Sequence, residues 1–312
     1  MQIKSLLIGN LPIENNVFLA PMAGYTDYPF RHVALKQGYG LTFTELVSAK
    51  GLFFGGKANS ELVYCGDDIS KTAVQIFGED AYYLRKACEC EYLKDFNIVD
   101  INMGCPVPKV YKNGEGSALL NDLKKAELII KECVKSNKVI TIKIRIGQKK
   151  GDDVAKEFAM MAENAGAKLI TIHGRVREDY YSGEPNYNSI RRAKECVNIP
   201  VIANGGIFTI EDADKMIDET GADGIMLARG GIANPFLVSD LLNVKTEYNL
   251  KSFIINHLNE LEKYYPERRG VLEFRKFVSW YFRGVDGIKD LKMAIYSANT
   301  FSQLLDIISN RL

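Results

Sequence analysis

The sequence predicts an α/β fold, a TIM (β/α)8 barrel followed by a small C-terminal helical bundle. Three observations carry that expectation. Eight short runs rich in β-branched residues alternate with longer segments of helical period, the pattern of parallel strands joined by crossover helices. The eight units occupy roughly 240 residues, the span of such a barrel. After about Asn243 the strand pattern stops and only 3.6-residue periodicity remains. The expected boundaries are therefore residues 1–242 for the barrel and 243–312 for the bundle. A doubly wound, flavodoxin-like sheet is the alternative, and it needs fewer strands.

In chain order, the expected strands are VFLA (17–20), LTFTEL (41–46), TAVQIF (72–77), IVDIN (98–102), VITIKIRI (139–146), LITIH (169–173), PVIAN (200–204) and GIMLAR (224–229). Helices are expected over 80–94, 122–135, 153–165, 188–197 and 210–220, where apolar residues recur at three- and four-residue spacing. The second unit is the weakest, because 51–65 contains Gly55-Gly56 and no strong helical period. Beyond it, FIINHLNELEKYY, LEFRKFVSWYFRGV and LKMAIYSANTFSQLLDIISNRL read as helices of a bundle. Phe274, Phe277, Trp280 and Tyr281 sit at helix-face spacing and are expected to pack in its core.

Composition narrows the function classes. The 312 residues are 46% hydrophobic and 25% charged, which argues for a folded globular chain rather than disorder. A formal net charge of +1 advertises no polyanionic partner, so any nucleic-acid contact must use a local patch. From Lys251 onward ten Lys/Arg face seven Asp/Glu, an excess that a solvated helix face explains as well as an RNA surface does. The N-terminal segment lacks the apolar run of a signal peptide, and no stretch of about 18 apolar residues occurs, so a cytoplasmic location without membrane attachment is expected. The six cysteines include one C-x-C but no paired C-x-x-C, and no histidine falls at zinc-finger spacing. Free thiols and no metal site are expected.

Barrel active sites lie at the C-terminal ends of the strands. Here those ends are polar: Pro21-Met22-Ala23 after the first strand, Gln75 in the third, Asn102 and then Cys105 after the fourth, Lys143 and Arg145 in the fifth, His173, Asn204-Gly205-Gly206, and Ala228-Arg229. The glycine pairs after strands seven and eight occupy the usual barrel phosphate address, where backbone N–H groups approach phosphate oxygens and Arg229 adds a charge-assisted contact. Tight turns are the other reading of either pair alone. Alternation in VITIKIRI puts Thr141, Lys143 and Arg145 on one face and the isoleucines on the other. If the isoleucines pack under helices, Lys143 points into the barrel, where an ammonium needs an anionic ligand. His173 alone reads equally as a structural histidine or a ligand contact. Cys105 follows a strand and precedes two prolines, an unusual place for a structural thiol.

In order, "LAPMAGYTDYPFR", "VQIFG", "DINMGCPVPKVYKNGEGSALL", "IKIRIG", "ITIHGRVREDYYSG" and "VIANGGI" resemble the tRNA-dihydrouridine synthases, with the N-M-G-C-P segment highly specific. The resemblance covers about 18–235, and the bundle resembles the family's tRNA-binding appendix in position and size. It implies an FMN-dependent TIM-barrel enzyme that uses NADPH to reduce the C5–C6 double bond of particular uridines in tRNA. By position it implies that Pro21, Met22 and Ala23 lie along the flavin and that Gln75 and Lys143 meet its polar edge. His173 is assigned to the cofactor as well, while Asn204, Gly205, Gly206, Ala228 and Arg229 hold the phosphate end. Asn102 and Arg145 are assigned to substrate, and Cys105 to the general acid that protonates uracil C5. The family more often has Asn-Gly-Asp and Gly-Arg where this chain has Asn204-Gly205-Gly206 and Ala228-Arg229, so backbone contacts are expected at Gly206 and Ala228. No stable protein partner is implied.

Three other readings remain at this point. A dihydroorotate dehydrogenase-like FMN enzyme would not need a helical appendix. A non-catalytic RNA-binding barrel has only the basic excess for support. An FMN-free barrel isomerase would use the same phosphate loops.

Overall fold

A computed structural model describes residues 1–245 and 249–312. The strands are β1 (Leu6–Ile8), β2 (Leu11–Ile13), β3 (Val17–Leu19), β4 (Thr42–Ser48), β5 (Thr72–Phe77), β6 (Ile98–Met103), β7 (Val139–Arg145), β8 (Ile170–His173), β9 (Val201–Asn204) and β10 (Gly224–Leu227). The helices around the barrel are α1 (Tyr28–Leu35), α2 (Ala49–Phe53), α3 (Lys57–Leu62), α4 (Ala81–Cys88), α5 (Pro108–Lys112), α6 (Leu123–Val134), α7 (Ala155–Ala165), α8 (Tyr187–Lys194), α9 (Ile210–Thr220), α10 (Arg229–Ala233) and α11 (Leu237–Leu241). The bundle is α12 (Leu250–Tyr264), α13 (Glu267–Tyr281), α14 (Lys289–Ser297) and α15 (Phe301–Arg311).

Strands β3 to β10 form one parallel sheet in the order β3-β10-β9-β8-β7-β6-β5-β4. A parallel bridge between Phe18 and Leu41 joins the two ends, with Leu19 N–H donating to Leu41 O at 2.9 Å. The expected (β/α)8 barrel is therefore the observed fold, and its eight strands fall within about two residues of the expected runs. Strand alternation does the sorting. Ile140, Ile142 and Ile144 face the helix layer, where they share a core with Ile129 and Ile130 of α6 and Phe158 of α7. Residues of opposite parity face inward.

The barrel interior is layered. Phe18, Phe43, Ala73, Ile98, Leu169, Ile202 and Met226 form an apolar lower layer. Beneath it lies an antiparallel hairpin, β1–β2, which the sequence reading did not foresee. Its Leu6, Ile8 and Ile13 close that end, each stabilising by about 1.5–3 kcal/mol if fully buried. Above the apolar layer come Gln75, Asp100, Thr141 and Thr171, then Asn102, Lys143, His173 and Asn204, all on inward-facing parity. Polarity thus rises from floor to mouth.

Other departures from the expected elements are local. The weak second unit holds only the short α2 and α3, and the last strand ends at Leu227, with Arg229 opening the one-turn α10. The final periodic run breaks into α14 and α15 because Thr300 caps α15 by accepting from Gln303 N–H. Across the 242/243 change of pattern the packing is continuous. Phe277 of α13 lies with its ring 5.4 Å from Tyr25, 5.0 Å from Phe30 and 4.7 Å from His257, touching barrel and bundle alike. Phe277→Ala should therefore cost about 3–5 kcal/mol and shift a single cooperative unfolding transition in denaturant. Loss of the bundle's transition alone, with the barrel's midpoint unmoved, would count against shared packing.

Candidate active site

The strand ends converge on one cleft of about 500 Å³ at the barrel mouth, lined by every site residue expected from the sequence: Pro21, Met22, Ala23, Gln75, Asn102, Cys105, Lys143, Arg145, His173, Asn204, Gly205, Gly206, Ala228 and Arg229. Register explains the convergence: Asn102 pairs with Lys143, Arg145 with His173, and His173 with Asn204 along neighbouring parallel strands.

Positive charge dominates the mouth. Lys143 is half-buried in the cleft wall, and its Nζ donates to Asn204 Oδ1 at 2.9 Å, which leaves two further N–H donors. Asn204 is itself held by donating to Met226 O at 2.8 Å. Burial, with Arg145 nearby, pushes Lys143 down to about 7, against the pull of Asp100. Among the described residues, no carboxylate makes an ion pair with Lys143, Arg145, Arg175 or Arg229, and burial depresses all three guanidinium groups. His173 lies well below its ordinary value, through burial and then the surrounding cations, so the ring is neutral. Arg175 Nη1 lies 3.1 Å from His173 Nε2, so that nitrogen accepts and the ring proton sits on Nδ1. An uncompensated cluster of this kind fits an anionic ligand with an acceptor-rich edge, such as a flavin mononucleotide.

The loops after β9 and β10 shape the other end. Gly205 has φ +121, and a Cβ there would come within 2.8 Å of His173 Cδ2. Gly230 packs so tightly on Ile207 that a Cβ would sit 1.9 Å from its carbonyl oxygen. A side chain at either position would collide with these neighbours, so the close approach needs glycine.

Cys105 sits half-buried on the β6–α5 loop. Asn102 Oδ1 accepts from Gly104 N–H at 3.2 Å and Cys105 N–H at 2.9 Å, which folds the loop back on its strand. Gly116 covers it with φ +59, where a Cβ would lie 2.9 Å from Cys105 Cβ. Burial raises the thiol above its ordinary value, so it holds its proton at neutral pH. Arg145, expected to meet substrate, lines the cleft and donates from Nε to Gly104 O at 3.1 Å and from Nη1 to Val176 O at 3.1 Å and Tyr180 O at 2.7 Å. It ties the Cys105 loop to the β8 loop.

Among the lining residues that the sequence reading did not assign are Tyr25, Arg175, Tyr181 and Trp280. Tyr181 stacks on His173 at 6.3 Å, with the Arg229 guanidinium 4.6 Å from its ring. Its place in REDYYSG gave a motif but no side-chain direction. Arg175 was visible only as a neighbour of His173. Tyr25 and Trp280 meet across the barrel–bundle boundary, Trp280 Nε1 donating to Tyr25 Oη at 3.3 Å. Trp280, expected in the bundle core, instead lines the cleft, while Phe274, Phe277 and Tyr281 are buried.

No described helix is long and apolar enough to cross a membrane. Among solved structures, the chain is similar to morphinone reductase (TM-score 0.57, 14% identity, covering 80% of this chain and 91% of that one). It is also similar to the old yellow enzyme homologue from Zymomonas mobilis (TM-score 0.55, 12% identity, 80% and 95%). At such identities the likeness concerns the barrel fold. In sequence, it is 38% identical over 288 residues to tRNA-dihydrouridine synthase B of Pasteurella multocida, covering 89% of this chain and 87% of the relative. It is 33% identical over 312 residues to tRNA-dihydrouridine synthase B of Vibrio cholerae, covering 96% and 97%. The family description "Dihydrouridine synthase (Dus)" matches residues 18–309. With that match running through both barrel and bundle, the chain belongs to the dihydrouridine synthase family.

Proposed function

We propose that this protein is a tRNA-dihydrouridine synthase that reduces the C5–C6 double bond of uridines in tRNA with NADPH through bound FMN. The observation that carries the reading is the partly buried cation cluster without a carboxylate ion pair among the described residues, next to a protonated cysteine on a loop. Lys143 and Gln75 would meet the polar edge of the flavin, Pro21, Met22 and Ala23 would lie along it, and His173, Asn204, Gly205, Gly206, Ala228 and Arg229 would hold the remainder. When bound, the flavin supplies the hydride that adds to uracil C6. Cys105 Sγ donates the proton that C5 then requires, and the thiolate recovers its proton from water. A raised thiol pKa suits this acid role, whereas a nucleophile needs the opposite. Asn102 holds the Cys105 loop and meets the uracil, and Arg145 braces the same loop from behind.

The barrel, 1–242, carries the chemistry and the helical region, 243–312, binds tRNA. In support, α13 delivers Trp280 to the cleft and sets the Arg283 guanidinium 4.6 Å from the ring of Phe208 on the rim. The names of the relatives favour tRNA over a free pyrimidine such as dihydroorotate. A cytoplasmic location follows from that substrate.

Two results test the reading. Charge-assisted hydrogen bonds contribute about 1.5–3 kcal/mol each, so Lys143→Met with Arg229→Ala should weaken FMN binding by roughly 10²–10⁴-fold in a fluorescence titration. Unchanged affinity would remove the cations from the site. Cys105→Ala should leave anaerobic flavin reduction by NADPH near the native rate and slow reoxidation by tRNA by about 10²–10⁴-fold. Equal losses in both half-reactions would instead mark a structural thiol.

A further inference from the structure

Asp100 lies fully buried inside the barrel, one layer below the cleft. Its Oδ1 accepts from Thr141 Oγ1 at 2.5 Å and its Oδ2 from Gln75 Nε2 at 2.7 Å. Burial raises this carboxyl to about 6, while both hydrogen bonds and Lys143 hold it down, so it is ionised in mildly alkaline buffer. An ionised carboxylate can only accept, so Gln75 must turn its amide nitrogen downward. Gln75 Oε1 then faces Asn102 and accepts from its Nδ2 at 2.9 Å. Asn102 Oδ1 is left for the N–H groups of Gly104 and Cys105. Each amide nitrogen carries a second hydrogen that the relay does not use, and both residues line the cleft. With Lys143 beside them, this wall offers donors.

We propose that Asp100 is a positioning residue that fixes the amide polarity of Gln75 and Asn102, so that the cleft presents donors to the carbonyl edge of a flavin while the Cys105 loop stays latched. The proposal rests on the flavin reading of the cleft. Reversing one link should therefore preserve the fold and destroy recognition.

An exchange of the two partners tests this, with three readouts at pH 8: thermal midpoint, iodoacetamide labelling of Cys105 resolved by peptide mass spectrometry, and FMN affinity by fluorescence titration. Gln75→Glu sets two acceptors against each other, so the midpoint should fall and Cys105 should label faster. Adding Asp100→Asn restores a donor–acceptor pair of opposite polarity at the native net charge. The amide introduced at position 100 then accepts from Thr141 and donates to the carboxylate at position 75. Midpoint and labelling rate should return to near the native values, while FMN binding stays about 10- to 100-fold weaker, because a buried acceptor now faces the ligand's carbonyls. Native affinity in the exchanged protein, or an exchange as unstable as Gln75→Glu alone, would overturn the proposal. Failure of the native protein to bind FMN would overturn the flavin reading itself, and midpoint and labelling would then decide the relay.

Discussion

Burying positive charge without burying its partner is the constraint on which this structure turns. Lys143 projects half-buried into the barrel mouth, where an ammonium loses part of its hydration, and it donates to the neutral amide of Asn204. Arg145, Arg175 and Arg229 surround the same mouth without ion pairs among the described residues. A fold tolerates such a cluster only if enough apolar burial elsewhere offsets it, and here the isoleucines of β7 and the helix layer around them supply it. The unpaired charge becomes binding energy for an anion, and the neutral His173 avoids adding to the repulsion.

Polarity inside the barrel is directional as well as layered. The apolar plug of Leu6, Ile8 and Ile13 excludes water from one end. Above it, Asp100 can only accept, and that single restriction orients two amides and the backbone of the Cys105 loop. Glycines complete the arrangement at the rim, where Gly116 permits the close cover over Cys105 and Gly205 permits the approach to His173. The shape of the mouth thus depends partly on residues below it, such as Asp100 and Ile8.

Much of this was legible in the sequence, for identifiable reasons. Each strand of the barrel announces itself by β-branched runs, and the candidate side chains lie in or just after those runs, so Lys143, His173 and Asn204 could be placed from parity and position alone. Short elements were not legible. The hairpin offered only three apolar residues per strand beside Gly9-Asn10, and its role depends on the barrel opening it fills. Contacts between elements were equally hidden. Trp280 shares its spacing with Phe277 and Tyr281, yet its indole turns to Tyr25 on the barrel, a choice that periodicity does not encode. Arg145 was assigned to substrate by resemblance, and nothing in the sequence signalled that it also braces two loops.

The most direct measurement of the central claim is a map of dihydrouridine in tRNA from cells lacking this protein, repeated after restoring the native chain or its Cys105→Ala form. The account predicts that defined uridines lose the modification in the deletion, regain it with the native chain and stay unmodified with the variant. An unchanged map in the deletion, or full restoration by Cys105→Ala, would contradict it.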